Sequence, residues 1–213
     1  LITNRCYADW QYVRLEGMGR TTIEALDTTE FDGEGEPTYV GGNQIARYPF
    51  HLHHDSGPRP GMPTPEGYQF LVRGIAVDGS HKWAGSIHNA GHGLFTQNVS
   101  YNCDGAHWVV EAGNEIENLF LENACMVSYG HLDTGDRGAE RVDKAHGGDG
   151  WWVAGLGNRF EGNVVANARA DGYNFYPFLE AIFCVAVRLP NFAGAETLVE
   201  GEYTLGPIRQ AIP

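Results

Sequence analysis

Apolar positions along this chain come in runs of three to six residues, and glycine, asparagine or aspartate ends each run before a helical face can form. The runs fall at Phe70–Val72, Ile75–Val77, Gly93–Thr96, Trp108–Val110, Leu119–Leu121, Trp151–Val153, Asn163–Val165 and Ile182–Val187. Many short β-type segments with frequent turn signals predict an all-β protein. Helical patterns are rare: a short candidate at Thr21–Leu26 and a weaker one in the charged stretch Gly135–Lys144. Residues 49–65 hold five of the ten prolines and read as a rigid irregular loop. Residues 30–36 read as an acidic, glycine-rich loop.

The runs repeat. Asp-Gly followed by aromatic or apolar residues occurs at Asp104-Gly105, Asp149-Gly150 and Asp171-Gly172, with a fainter copy at Asp78-Gly79. With Tyr129-Gly130 filling one slot, the glycines stand 26, 25, 20 and 22 residues apart. Asn-x-Phe-x-x-Asn occurs at Asn118–Asn123 and again 40 residues on at Asn158–Asn163, which reads as two steps of the same period. A period of 20–26 residues with Gly and Asn at the corners predicts a right-handed parallel β-helix, each coil stacking on the next at ~4.8 Å. Leucine-rich repeats share the period but need a Leu-x-x-Leu-x-Leu signature that is absent. The whole chain, 1–213, reads as a single β-helix domain of seven to nine coils, with 131–149 as a charged loop excursion. Open β-helix ends expose strand edges, so a larger parent chain, an oligomer or another assembly is expected. The start at Leu1, without Met or an apolar leader, reads as a processed product or fragment.

Composition narrows the function. The formal charge of −13 argues against nucleic acid or an anionic membrane as partner. No run approaches the roughly 18 apolar residues of a spanning helix. P-loop and nucleophile-elbow motifs are missing. Cys6, Cys103, Cys125 and Cys184 form no CxxC pair and read as buried thiols, with one disulfide as the alternative.

The candidate chemistry centres on histidine. Eight of nine histidines lie between His51 and His131. His51 and His53 are two apart on a strand and share a face, where they suit a transition metal or a general base. His-x-His also occurs in copper sites, but no cysteine here is flanked by His, as a multicopper oxidase requires. His81, His107 and His131 are spaced near the coil period and predict a stacked column, which makes His107 a further metal candidate beside His51 and His53. His54 and His92 read as turn or solvent residues. Glu111 and Glu115 flank a glycine, and paired carboxylates serve glycoside hydrolysis or bind Ca²⁺. Trp108, Trp151, Trp152, Tyr173 and Tyr176 offer flat surfaces for sugar rings, with Arg47 as a partner for an acidic one; the alternative for each aromatic residue is the coil core.

A family resemblance adds to this reading. Ala46-Arg47-Tyr48-Pro49-Phe50-His51-Leu52-His53 resembles a Gly-Arg-Tyr-Pro-Ile-His-Phe-His segment of the cell-migration-inducing and transmembrane hyaluronidase family, which includes fibrocystin-like proteins. Ser86-Ile87-His88, Asn98-Val99-Ser100-Tyr101, Glu111-Ala112-Gly113-Asn114-Glu115 with Asn118, and Trp151-Trp152-Val153 with Asn163–Ala166 resemble further pieces of that family in collinear order. The resemblance spans roughly Gly42–Tyr176. It implies a right-handed β-helix, an extracellular or secreted setting and glycan depolymerisation, with His51, His53, His88, Glu111 and Glu115 as the site. The expected function is thus a polysaccharide hydrolase or lyase whose His/Glu site holds a divalent metal (Ca, Zn or Cu). The alternative is a non-catalytic β-helical adhesin, glycan-binding or structural module. A polyanion would be repelled by this chain unless the groove is locally basic or holds a cation, so the substrate glycan stays open.

Overall fold

The computed structural model describes residues 2–4, 7–19, 29–41, 47–55, 67–130, 145–176, 185–188 and 202–205. The helix candidates Thr21–Leu26 and Gly135–Lys144, His131, Cys6, Cys184, most of the 131–149 loop and part of the proline-rich loop lie outside them.

Among the described residues every regular element is a strand, and three parallel sheets hold sixteen of them. Sheet I is β1 (Ile2–Asn4), β6 (Phe50–His53), β9 (Gly85–His88), β12 (Trp108–Val110), β15 (Trp151–Val153) and β18 (Tyr173–Phe175). Sheet II is β2 (Ala8–Gln11), β7 (Phe70–Arg73), β10 (Gly93–Thr96), β13 (Ile116–Leu121) and β16 (Gly157–Glu161). Sheet III is β3 (Arg14–Glu16), β8 (Ala76–Ser80), β11 (Val99–Cys103), β14 (Ala124–Ser128) and β17 (Val164–Ala166). The chain passes through sheets II, III and I in turn and then pairs in parallel with its own previous coil, which makes a parallel β-helix. Two antiparallel pairs stand apart: β4 (Glu30–Phe31) with β5 (Pro37–Tyr39), and β19 (Val185–Arg188) with β20 (Glu202–Leu205).

The described coils number five complete turns, fewer than the length suggested, because connections between strands absorb chain. Phe70 pairs with Gly93, 23 residues on, and Leu94 with Leu119, 25 residues on. Leu119 then pairs with Arg159, a single step of 40. The two Asn-x-Phe-x-x-Asn motifs are therefore one coil apart, not two. Gly130 and Gly150 likewise belong to one coil, on either side of the connection from β14 to β15. The even glycine period dissolves there.

Side chains alternate in and out of each strand. Inward from sheet I point Phe50, Trp108 and Trp151, with Leu52, Ile87, Val110 and Val153 two residues along. Trp10, Val72, Phe95, Phe120 and Phe160 line up from sheet II, and Leu15, Val77, Cys125 and Val165 from sheet III. Space inside is tight. A Cβ on Gly93 would lie 2.0 Å from the Phe70 ring. Cys103 and Cys125 are free buried thiols.

Two features repeat at the corners. Tyr12, Gly74, Gln97, Glu122 and Gly162 occupy the same place in five successive coils, and all five have positive φ. Beside them runs a ladder of buried amides. Asn123 accepts from the Asn98 backbone and side chain, and donates to Phe95 O and to Asn163. A second ladder joins Asn118 to Asn158 at the corner between sheets I and II.

Candidate active site on the outer face of sheet I

Because Phe50 and Leu52 point inward, His51 and His53 point out from β6. In the next coil His88 pairs with His53, and Ser86 with His51. The three imidazoles gather. Ring centroids are 5.1 Å apart for His51–His53, 5.0 Å for His53–His88 and 5.7 Å for His51–His88. One nitrogen from each lies within 4.8 Å of the others. His54 joins the group, stacked on His53 at 3.9 Å. It turns inward to the cluster because its own backbone has positive φ. It was expected to be a solvent or turn residue, and it is both a turn residue and a neighbour of the cluster.

One coil further on stands Glu111. Its Oε2 accepts the Ser86 hydroxyl at 2.6 Å and lies 3.7 Å from His88 Nδ1. Ser86 is fully buried. Sequence reasoning missed Ser86 as a site residue. The signal was present, since Ser86 and His88 are two apart on a strand and therefore share the His face.

His51 is only 2% exposed, and neither ring nitrogen has a hydrogen-bond partner. Burial drives its pKa down to about 3, and the neighbouring His88 and His53 push in the same direction. It is a neutral imidazole with an unused lone pair, the form that ligates a metal or accepts a proton. The donor set answers which metals fit. Three imidazoles beside a carboxylate suit Zn or Cu; Ca²⁺ requires a shell of oxygen ligands. Among the described residues, the Ca²⁺ expectation finds no such shell at this cluster.

Other expected residues lie elsewhere. His107 is not part of the cluster: its ring is fully buried, with Nδ1 2.7 Å from Ser100 Oγ. Ser100 shares its column with core residues Val77 and Cys125, so His107 faces the interior of the coil. Burial holds its pKa at about 4. His88 takes the place proposed for it. His81 is half exposed beside Asp104, so the expected His81–His107 stack does not form. Glu115 is fully buried and accepts backbone N–H groups from Asn89, Ala112 and Gly113 at 2.8–2.9 Å. Burial pushes its pKa up to about 7 against those bonds. It braces the turn that carries Glu111.

The aromatic residues divide by strand parity. Trp108 and Trp151 are core residues with no exposed surface, which removes them as sugar platforms. Tyr173 follows Trp151 in the inward column, half-buried and parallel to it at 6.3 Å. Trp152 points outward, is 4% exposed, and stacks on Tyr176 at 5.5 Å. Arg47 is exposed just before β6. No helix among the described residues is long and apolar enough to cross a membrane.

A family model described as the CEMIP beta-helix matches residues 27–183. Comparison with curated proteins and with solved structures returns no match.

Proposed function

Because this chain belongs to the CEMIP beta-helix family, we propose that it is an extracellular glycan depolymerase with its reaction centre at His51, His53, His88 and Glu111. The observation that carries the reading is the buried His51 ring, unbonded at both nitrogens and within ligand distance of two more imidazoles. A buried polar group without a partner costs about 1–3 kcal/mol, and a ligand on the cluster offsets that cost. His51, His53 and His88 would hold a Zn or Cu ion. Such an ion supplies Lewis-acid polarisation of a sugar oxygen, or neutralises a uronate carboxylate.

The chain's own groups handle the proton. Glu111 is held in place by the Ser86 hydroxyl and stands beside His88. Cleavage breaks a glycosidic C–O bond, and the departing oxygen must take a proton. Glu111 and His88 are placed to give that proton, and to take one from water in hydrolysis or from sugar carbon in elimination. Both Glu115 oxygens already accept main-chain N–H groups, which favours Glu111 with a histidine over a pair of carboxylates.

The test begins with metal content by mass spectrometry, on the parent protein and on His51→Ala/His53→Ala. Stoichiometric Zn or Cu in the parent, lost in the double variant, supports the centre. A glycan panel with that metal present then follows product size and the absorbance of unsaturated uronates. No metal in the parent removes the metal from the reading. Glycan binding without cleavage under any metal makes the chain a binding module instead.

A further inference from the structure

One outward position of sheet I lines up through five coils. His53 pairs with His88. The register continues past the strand ends: Glu111 N donates to Ile87 O, Ala154 N to Val110 O, and Tyr176 N to Val153 O. The row along the helix axis is therefore His53, His88, Glu111, Ala154, Tyr176. Coils are spaced by ~4.8 Å, so Tyr176 stands two steps, roughly 10 Å, beyond Glu111.

The character of the face changes along this row. The first three positions are imidazoles and a carboxylate. In the neighbouring row His51 and Ser86 give way to Val109 and Trp152. Trp152 backs the Tyr176 ring at 5.5 Å and 27°, while 55% of Tyr176 is exposed. An aromatic ring supported on one side and wet on the other is a platform for the C–H face of a sugar. Neither row carries Lys or Arg, within a chain of formal charge −13. The unit that this platform takes is uncharged.

We infer that Tyr176, backed by Trp152, binds an uncharged pyranose ring of the same glycan that is cut at Glu111, two coil steps away. The glycan then runs along the β-helix axis, across the strands of sheet I. This rests on the glycan-cleaving reading above. The step of one coil is comparable to the advance of one sugar in an extended β-linked chain, so the platform lies about two sugars from the reacting bond.

The experiment is calorimetric binding of β-1,4-glucan and hyaluronan oligosaccharides, each as disaccharide and hexasaccharide. The proteins are the parent, Tyr176→Ala, Tyr176→Phe, Tyr129→Ala and His51→Ala/His53→Ala. Tyr176→Ala should lower the ratio of hexasaccharide to disaccharide affinity by roughly three- to tenfold, the size of one lost aromatic contact. Tyr176→Phe keeps the ring and should keep the ratio. Tyr129 is an exposed tyrosine at a distant corner, and its loss should leave the ratio alone. An unchanged ratio in Tyr176→Ala overturns the platform, while cleavage by the parent would leave the depolymerase standing. A Tyr176-dependent ratio without cleavage under any metal keeps the platform and overturns the depolymerase. Absence of binding to either glycan overturns both.

Discussion

Replacing Asn123 by alanine removes four hydrogen bonds at once. Its Oδ1 accepts from Asn98 N at 3.0 Å and from Asn98 Nδ2 at 2.9 Å; its Nδ2 donates to Phe95 O at 3.0 Å and to Asn163 Oδ1 at 2.8 Å. The side chain is 1% exposed, so water cannot replace these partners. At a net of about 1 kcal/mol per bond, the loss is about 4 kcal/mol. That is a third or more of the stability of a typical domain. The half-buried Asn163 makes three such side-chain bonds at the next coil, and its alanine variant should lose less. Urea unfolding followed by fluorescence reads the change, since Trp108 and Trp151 are fully buried. The midpoint should fall with the slope unchanged. A loss below about 1 kcal/mol for Asn123→Ala would refute the reasoning, because the ladder would then be a decoration of the corner and not a tie between coils.

Three further outcomes are expected. His107 is held neutral at about pH 4 by burial, against an ordinary 6.5, so its contribution is full above pH 6.5 and is lost as the pH falls toward 4, because the unfolded chain takes up a proton that the folded chain refuses. His107→Gln should make the fall of stability between those values shallower by about 1.4 kcal/mol per pH unit, read from urea midpoints; an unchanged slope would count against it. His51, at about 3, acts in the same direction, and Glu115, raised to about 7, acts oppositely between pH 7 and 4.5, so the comparison with the parent is essential. Gly93→Ala would drive a methyl into the Phe70 ring and should cost about 3 kcal/mol, partly recovered by adding Phe70→Leu; equal stability of single and double variants would show that the ring moves freely. Burial pushes the Cys103 thiol up to about 12 and raises Cys125 too, so in a Cys6→Ser/Cys184→Ser background a thiol reagent should react only on unfolding, and fast labelling of the folded protein would contradict the packing.

The sequence alone determined the architecture. Short apolar runs cut by turn residues can bury one face only by stacking, and a repeat near 20–26 residues with amide corners leaves a β-helix as the solution. Strand alternation likewise put His51 and His53 on one side of β6, and the family resemblance added His88 and Glu111. What it left undetermined was register across coils. The corner column runs Tyr12, Gly74, Gln97, Glu122, Gly162, and only two of the five are glycine, so backbone conformation repeats where residue type does not. The long connection between β14 and β15 adds residues inside a coil without changing its strands, so spacing counted along the chain assigned Gly130 and Gly150 to separate coils and stacked His107 with His81. Distance in a solenoid is measured in coils, and only the paired backbone shows which residues share one. That pairing joined Ser86 to Glu111, sent Trp108 and Trp151 into the core, and left Trp152 and Tyr176 together on the face that carries the histidines.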